Sequence, residues 1–372
     1  MKALKPLHDQ IIVLTGASSG IGRATAKMAA DAGAKLVLAA RSENALNELV
    51  DDINSAGGEA VAVVADVGVE EDVDKIAATA IANFGRFDTW VNNAGVSIYG
   101  KLTDVPLEDQ RRLFDTNYWG VVYGSLAAAA HLARDGGAII NVGSIVSDRA
   151  LPLQGAYSAS KHAVKGFTDA LRVELEHEEL PVSVTLIKPG AIDTPYTQHA
   201  KNYLEVEPKF PPPVYAPEVV AEAILHCAEN PVRDMFVGGS GKLYSAAEKY
   251  APRVTDKLMG LLAFDAQKSD KPRKGRKPSG LYNASGGGST RGNHDGYVAE
   301  SSIYTKSAMH PTLIAGGLLL AGIGLAYAVA SRRAGGDGQR KLDTNTPLQT
   351  AVVRETFEAK LDHDFSGTQE RS

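Results

Sequence analysis

The segment Thr15-Gly-Ala-Ser-Ser-Gly-Ile-Gly22 follows the apolar run Ile11-Ile-Val-Leu14 and opens a helical pattern. That order commits the chain to a strand, a glycine turn and a helix N-terminus in succession. Gly16, Gly20 and Gly22 lack a Cβ, which permits the tight turn, lets backbone approach a pyrophosphate and lets the helix start pack on the strand. Ser18, Ser19 and Ile21 complete the turn, and the helix start presents unpaired N–H groups to an anion. The spacing Gly-x-x-x-Gly-x-Gly departs from the Gly-x-Gly-x-x-Gly fingerprint, so the turn gains its weight from motifs later in the chain.

Three later motifs fit a dinucleotide machine. Asn92-Asn-Ala-Gly95 ends the strand-like run Thr89–Val91, Asn141-Val-Gly-Ser144 ends Ala138–Ile140, and Tyr157-Ser-Ala-Ser-Lys161 lies next on a helical stretch. With the glycine turn, these residues resemble the short-chain dehydrogenase/reductase superfamily, in its single-domain form, over roughly residues 7–240. Strand-like runs at 11–14, 35–39, 60–64, 89–91, 138–142, 182–187 and 235–237 alternate with helical stretches rich in Ala, Leu and Glu. The pattern predicts an α/β fold, a Rossmann-like doubly wound parallel sheet of about seven strands buried on both faces.

The 372 residues exceed one such domain, which leaves a long tail. The reading is a catalytic domain over 1–240, a helical extension over 241–266, a flexible basic and Gly/Ser-rich linker over 267–311, a membrane helix over 312–330 and a polar tail over 331–372. The uncharged stretch 312–330 is just long enough to span a bilayer core of about 30 Å. A spanning anchor is its simplest reading; a buried or re-entrant segment and an oligomerisation helix are the alternatives. Arg332, Arg333, Arg340 and Lys341 after the segment argue for a cytoplasmic tail, but Met1–Gln10 holds no signal-like apolar core, so the catalytic domain is expected in the cytosol. A soluble cytoplasmic protein is the second choice. The 39 basic and 44 acidic residues give no sign of a nucleic-acid partner, and the single Cys227 excludes an intrachain disulfide and reads as a core residue. His131, His162, His177 and His226 show no metal-ligand spacing, so no metal is expected.

Tyr157 and Lys161 are four apart, so on a helix they share one face, and a nearby ammonium would favour the phenolate of Tyr157. The resemblance implies the rest: Tyr157 as general acid or base, Lys161 also bonding the nicotinamide ribose, Ser144 holding the substrate oxygen, and Asn117 holding a water that links Lys161 to solvent. It also implies cofactor contacts from Asp66 with Val67, from Asn93, Ala94 and Gly95, and from Pro189, Gly190, Ile192 and Thr194. At the end of the second strand Ala40 removes the carboxylate that would repel a 2′-phosphate and Arg41 offers a guanidinium fork, which predicts NADP(H). Val96, Ile98, Tyr99, Ile145, Leu151, Leu153, Tyr196, Tyr203, Leu204 and Phe210 predict an apolar pocket, with Pro195–Pro217 as a mobile lid and Arg149 as either an anion contact or a solvated loop residue. The expected activity is NADP(H)-dependent interconversion of a small-molecule carbonyl and alcohol, on a hydrophobic substrate, by a homodimer or homotetramer. The alternative is a catalytically silent NADP(H)-binding sensor.

Overall fold

The computed structural model describes residues 3–310, apart from 274, 276–278 and 285–286. Seven parallel strands form one sheet: β1 (Ile11–Thr15), β2 (Lys35–Ala40), β3 (Glu59–Val64), β4 (Thr89–Asn92), β5 (Gly137–Val142), β6 (Val182–Pro189) and β7 (Asp234–Val237). Their order is β3-β2-β1-β4-β5-β6-β7, so the direction of winding reverses between β1 and β4. A crevice opens there beyond the carboxyl ends of the strands, where open α/β sheets bind ligands. All seven strands stand where the apolar runs predict them.

Successive side chains of each strand point to opposite faces, and both faces are covered. Ile12, Leu14, Leu36, Leu38, Ile140 and Ile187 pack against α1 (Gly20–Asp31), α2 (Glu43–Ser55) and, later in the chain, α7 (Pro217–Glu229). Val13, Val37, Trp90, Ile139 and Val184 pack against α3 (Glu70–Phe84), α5 (Gly120–Asp135) and α6 (Gly155–His177). Cys227 is a fully buried member of the first layer, and burial pushes its thiol up to about 12. Helix α4 (Leu107–Phe114) runs into α5 through one π-helical turn, Asp115–Trp119. Such turns bulge the backbone and often mark functional positions.

Two helices follow β7, α8 (Ser240–Tyr250) and α9 (Pro252–Ala266), with the break at Pro252. Within 267–311, read from the sequence as a flexible linker, the described residues are paired and packed. Lys268–Pro272 pairs antiparallel with Val206–Pro208, Val298–Ala299 pairs with Val214–Tyr215, and α10 (Ile303–Met309) packs on β7 and α7. Composition misled because anchors are few and scattered: Leu281 and Thr305 are fully buried, and Arg291 pairs with Glu218 and Glu300. The same pairings hold the span Pro195–Pro217 in place, so it is a sewn-down roof and not a free lid. The apolar stretch 312–330, expected to cross a membrane, and the tail 331–372 lie outside the described residues. Among the described residues no helix is long and apolar enough to cross one.

Candidate active site

The glycine turn adopts the strained backbone that its sequence requires. Gly16 and Gly20 have φ of 68° and 55°, and a Cβ on Gly16 would sit 2.7 Å from the Ala94 Cα. Gly22 packs beneath the turn, where a Cβ would strike the Gly16 carbonyl. Asn93 fixes the turn from the end of β4: its Nδ2 donates to the carbonyls of Thr15 at 3.0 Å and Gly16 at 3.2 Å. Thr15 Oγ1 in turn accepts the N–H groups of Asn93 and Ala94. The Asn-Asn-Ala-Gly motif therefore works as a splice between two strand ends. Asn92 faces the opposite way, into a buried network with Trp90, Ser125 and Asn141.

A cleft of about 1000 Å³ opens over this turn. Gly16, Ser18, Ser19, Gly20, Ile21, Arg41, Asp66, Val67, Asn93, Ala94, Gly95 and Thr194 line it, together with Gly280 and Ala284 from the carboxy-terminal extension. Arg41 does not stand free in it. Its guanidinium donates to the carbonyls of Gly280 and Leu281, lies 3.8 Å from Asp66, and burial lowers its pKa. Asp66 also caps its own turn by accepting the Gly68 N–H at 3.0 Å, and Arg112 clamps its other oxygen. Arg112 was not among the expected residues. It comes from α4, and no local pattern ties it to the end of β3.

A second cleft, of about 870 Å³, shares Ile21, Asn93, Gly95, Thr194 and Tyr196 with the first and continues it toward Tyr157. Ser144, Tyr157, Lys161, Pro189, Gly190 and Ile192 line this part, with Tyr99, Ile145, Leu151 and Phe210 as apolar walls. Ser144 leaves β5 and its Oγ accepts the Val146 N–H at 3.2 Å, while Ser147 Oγ accepts the Ser144 N–H in a reciprocal capping box. Ser147 thus closes the short 3-10 turn that follows Ser144.

Tyr157 and Lys161 stand one turn apart on α6. Lys161 is 3 % exposed, its Nζ donates to the Val142 carbonyl at 2.7 Å, and it lies 5.9 Å from the centre of the Tyr157 ring. Burial brings the ammonium down to about 8. Burial also pushes the Tyr157 hydroxyl above the usual phenol range, against the pull of hydrogen bonds with Tyr196 and Ser144. The depressed tyrosine expected from the sequence is therefore not found: desolvation is the largest influence on the phenol, and the Lys161 Nζ is turned toward the Val142 carbonyl. Asn117 lies in the π-helical turn. Its Oδ1 accepts the Val96 N–H at 2.8 Å and its Nδ2 donates to Val96 O and Ser160 Oγ.

The space beside Gly95 is a test of fit for a cofactor. A Cβ there would make ordinary contacts, 3.5 Å from Asn117 Oδ1 and 3.8 Å from Lys161 Nζ, so Gly95 stands next to both groups at the junction of the clefts. A long, continuous cleft with a glycine cradle at one end and a lysine at the other suits a dinucleotide. Among the described residues no three His, Cys, Asp or Glu side chains are grouped to hold a metal.

Several expectations about the pocket change. Ile98, Leu153 and Leu204 are buried in small clusters behind its walls and do not line it. Arg149 is turned away from it, bridging Glu248 of α8 and Asp256 of α9 at 2.7 Å each. Tyr203 leaves the pocket to donate its hydroxyl to Asp109, which also receives Tyr282 at 2.7 Å. Sequence reasoning passed over Asp109 and Tyr282, which are distant in the chain and carry no motif.

Comparison with known proteins agrees with this geometry. A family model described as short chain dehydrogenase matches residues 10–204. The chain is 50 % identical over 332 residues to the uncharacterized oxidoreductase YxnA of Bacillus subtilis, covering 88 % of this chain and 92 % of that protein. A solved structure of a short chain dehydrogenase/reductase from Burkholderia phymatum in complex with NAD superposes with a TM-score of 0.62 at 26 % identity, covering 68 % of this chain and 96 % of the other. An alcohol dehydrogenase from the archaeon Thermococcus sibiricus complexed with 5-hydroxy-NADP superposes with a TM-score of 0.54 at 27 % identity, covering 61 % and 95 %.

Proposed function

Because the chain belongs to the short-chain dehydrogenase/reductase family, an oxidoreductase family that works with a nicotinamide cofactor on small molecules, we propose that it is an NADP(H)-dependent enzyme interconverting a hydrophobic ketone and its secondary alcohol. The observation that carries this reading is the meeting of Ser144, Tyr157 and Lys161 at the point where the glycine-turn cleft passes into an apolar pocket. The residues of the first cleft fit a dinucleotide, whose nicotinamide would supply or accept the hydride when bound.

The protein's own groups do the rest. Tyr157 gives its hydroxyl proton to the carbonyl oxygen in reduction and takes it back in oxidation. Ser144 holds that oxygen in line through a hydrogen bond. Lys161 biases Tyr157 toward release of its proton whenever the ammonium is charged, and Asn117, held by Val96 on both its amide atoms, fixes the wall beside Gly95. Tyr99, Ile145, Leu151, Tyr196 and Phe210 exclude water, and with Arg149 turned outward the pocket favours neutral, apolar substrates.

The preference for NADP(H) is supported by Ala40 and Arg41 at the end of β2, with the guanidinium of Arg112 nearby. Replacing Arg41 by Asp is expected to raise the KM for NADPH by about 10- to 100-fold, the worth of a lost charge-assisted hydrogen bond, and to leave the KM for NADH nearly unchanged. Equal changes in both would defeat the assignment. The activity itself is tested by NADPH oxidation with the full chain against a panel of ketones, beside Tyr157→Phe. Turnover on apolar ketones that falls by about 10²- to 10⁴-fold in the variant is the expected result. Tight NADPH binding with no turnover on any ketone would make the protein a dinucleotide-binding module instead. We also propose a homodimer or homotetramer, built on α5 and α6.

A further inference from the structure

Residues 279–284 and 287–294 contain no helix or strand, yet they form a strap along the dinucleotide cleft, and each end is pinned. At one end Leu281, fully buried, packs among Ile98, Val105 and Leu113. Beside it the Tyr282 hydroxyl donates to Asp109, a carboxylate only 4 % exposed. At the other end the Gly292 N–H donates to the Asp193 carbonyl at 3.3 Å and the His294 N–H to the Asp193 carboxylate at 3.4 Å.

The pins set three strap carbonyls on donors of the cleft. Gly280 O and Leu281 O accept from Arg41, and Ser289 O accepts the N–H of Gly20, the first residue of α1, at 3.0 Å. A helix of this length leaves its first N–H groups without partners in the helix, and in this fold they face the pyrophosphate. Resting on the cofactor reading above, this means that a neutral carbonyl already sits on each kind of donor that a dinucleotide's phosphates would use. An N–H that bonds a phosphate oxygen in line cannot keep the carbonyl at full strength. The anion makes the stronger bond, but entry has to release the strap.

We propose that the strap is an intrachain competitor for the cofactor's phosphates and that its Gly280–Leu281 half determines selectivity at the 2′-position. The Ser289 contact opposes NADH and NADPH alike, because both carry the pyrophosphate. The contacts on Arg41 oppose only the 2′-phosphate. Loosening the strap at Leu281 and Tyr282 therefore frees Arg41 and favours NADPH over NADH.

The test is equilibrium titration of the full chain with NADPH and with NADH, read by cofactor fluorescence, for wild type, Leu281→Ala and Tyr282→Phe. The apparent Kd scales inversely with the fraction of molecules whose donors are free, so Leu281→Ala is expected to tighten NADPH by about 10-fold. Loss of one hydrogen bond in Tyr282→Phe is expected to tighten it by about 3-fold, and NADH should shift by less than about 2-fold in both. NADPH binding that is unchanged or weaker in Tyr282→Phe would overturn the proposal, and so would equal tightening for both cofactors. Failure of every form to bind either dinucleotide would overturn the cofactor reading, and the strap with it. Amide hydrogen exchange on the wild type gives a readout that needs no variant. NADPH should slow exchange at Gly20 and Ile21 and speed it across 280–292, whereas slower exchange across 280–292 would make the strap a closing lid and overturn the competition.

Discussion

At the scale of single residues, Tyr157 and Lys161 are both moved by burial, in opposite directions and for one reason: low-dielectric surroundings disfavour the charged form of each. For Lys161 the consequence for stability has a definite sign. Below about pH 8 the lysine is charged in both folded and unfolded chains, and the folded state bears the cost of burying it. Between about 8 and the ordinary lysine value of 10.5 the unfolded chain holds the proton and the folded chain does not, so stability rises with pH across that window. Lys161→Met is therefore expected to be more stable than wild type near pH 7, by an amount on the order of 3 kcal/mol at most. Chemical denaturation of both proteins at pH 7 and 9.5 should show the gap closing as pH rises; a gap that widens would mean the lysine is stabilising in its charged form. Gly22→Ala is the sharper lesion, because its Cβ meets backbone, the Gly16 carbonyl, that cannot turn away. The expected result is loss of dinucleotide binding by at least about 10-fold, with the turn displaced. These residues were legible because their chemistry is local: glycines in a turn, and a tyrosine and lysine one helical turn apart. What Tyr157 touches was not legible, since Tyr196 reaches it from a segment whose path no spacing rule predicts.

At the scale of elements, the sheet was readable because its strands are buried on both faces and so appear as unbroken apolar runs. The extension was half readable. Its helices carry periodic apolar positions and a proline at the break, whereas the described residues of 268–310 hold their place through a few buried side chains and backbone pairing with the roof of the pocket, which composition does not encode. Arg149 illustrates the difference. From the sequence it is a loop arginine near the substrate; in the structure it ties α8 and α9 to the loop after β5. Its partner Asp256 is 65 % exposed and contributes little, so most of the effect lies in the more sheltered Glu248. Arg149→Ala is expected to cost about 1 kcal/mol, seen as a fall in Tm of roughly 2–4 °C, with the KM for NADPH unchanged. A large rise in the KM for NADPH would place Arg149 in the cofactor's path instead.

At the scale of the whole molecule, the turn before α5 and the helices α5 and α6 each carry an exposed apolar side chain. Trp119, Leu126 and Val173 are 44, 52 and 64 % exposed, in a protein whose core side chains are almost fully buried. If copies of the chain pair through these helices, Leu126→Glu and Val173→Glu should each shift the elution of the full chain toward the monomer, because a charge opposite its own symmetry mate opposes closure. Unchanged elution in both variants would move the interface elsewhere. The pairing of Val298–Ala299 with Val214–Tyr215 has a further consequence, in time and not in space. The roof of the pocket is joined to residues made long after it: the 84 residues from Val214 to Val298 take roughly 4–17 s to synthesise at ordinary rates. The seven strands are all made before then, so the emerging chain passes through an interval in which its sheet can form while the active site still lacks its seam. A ribosome that stalls after β7 would hold a chain whose seven strands are all made but whose pocket roof still waits for Val298 and Ala299.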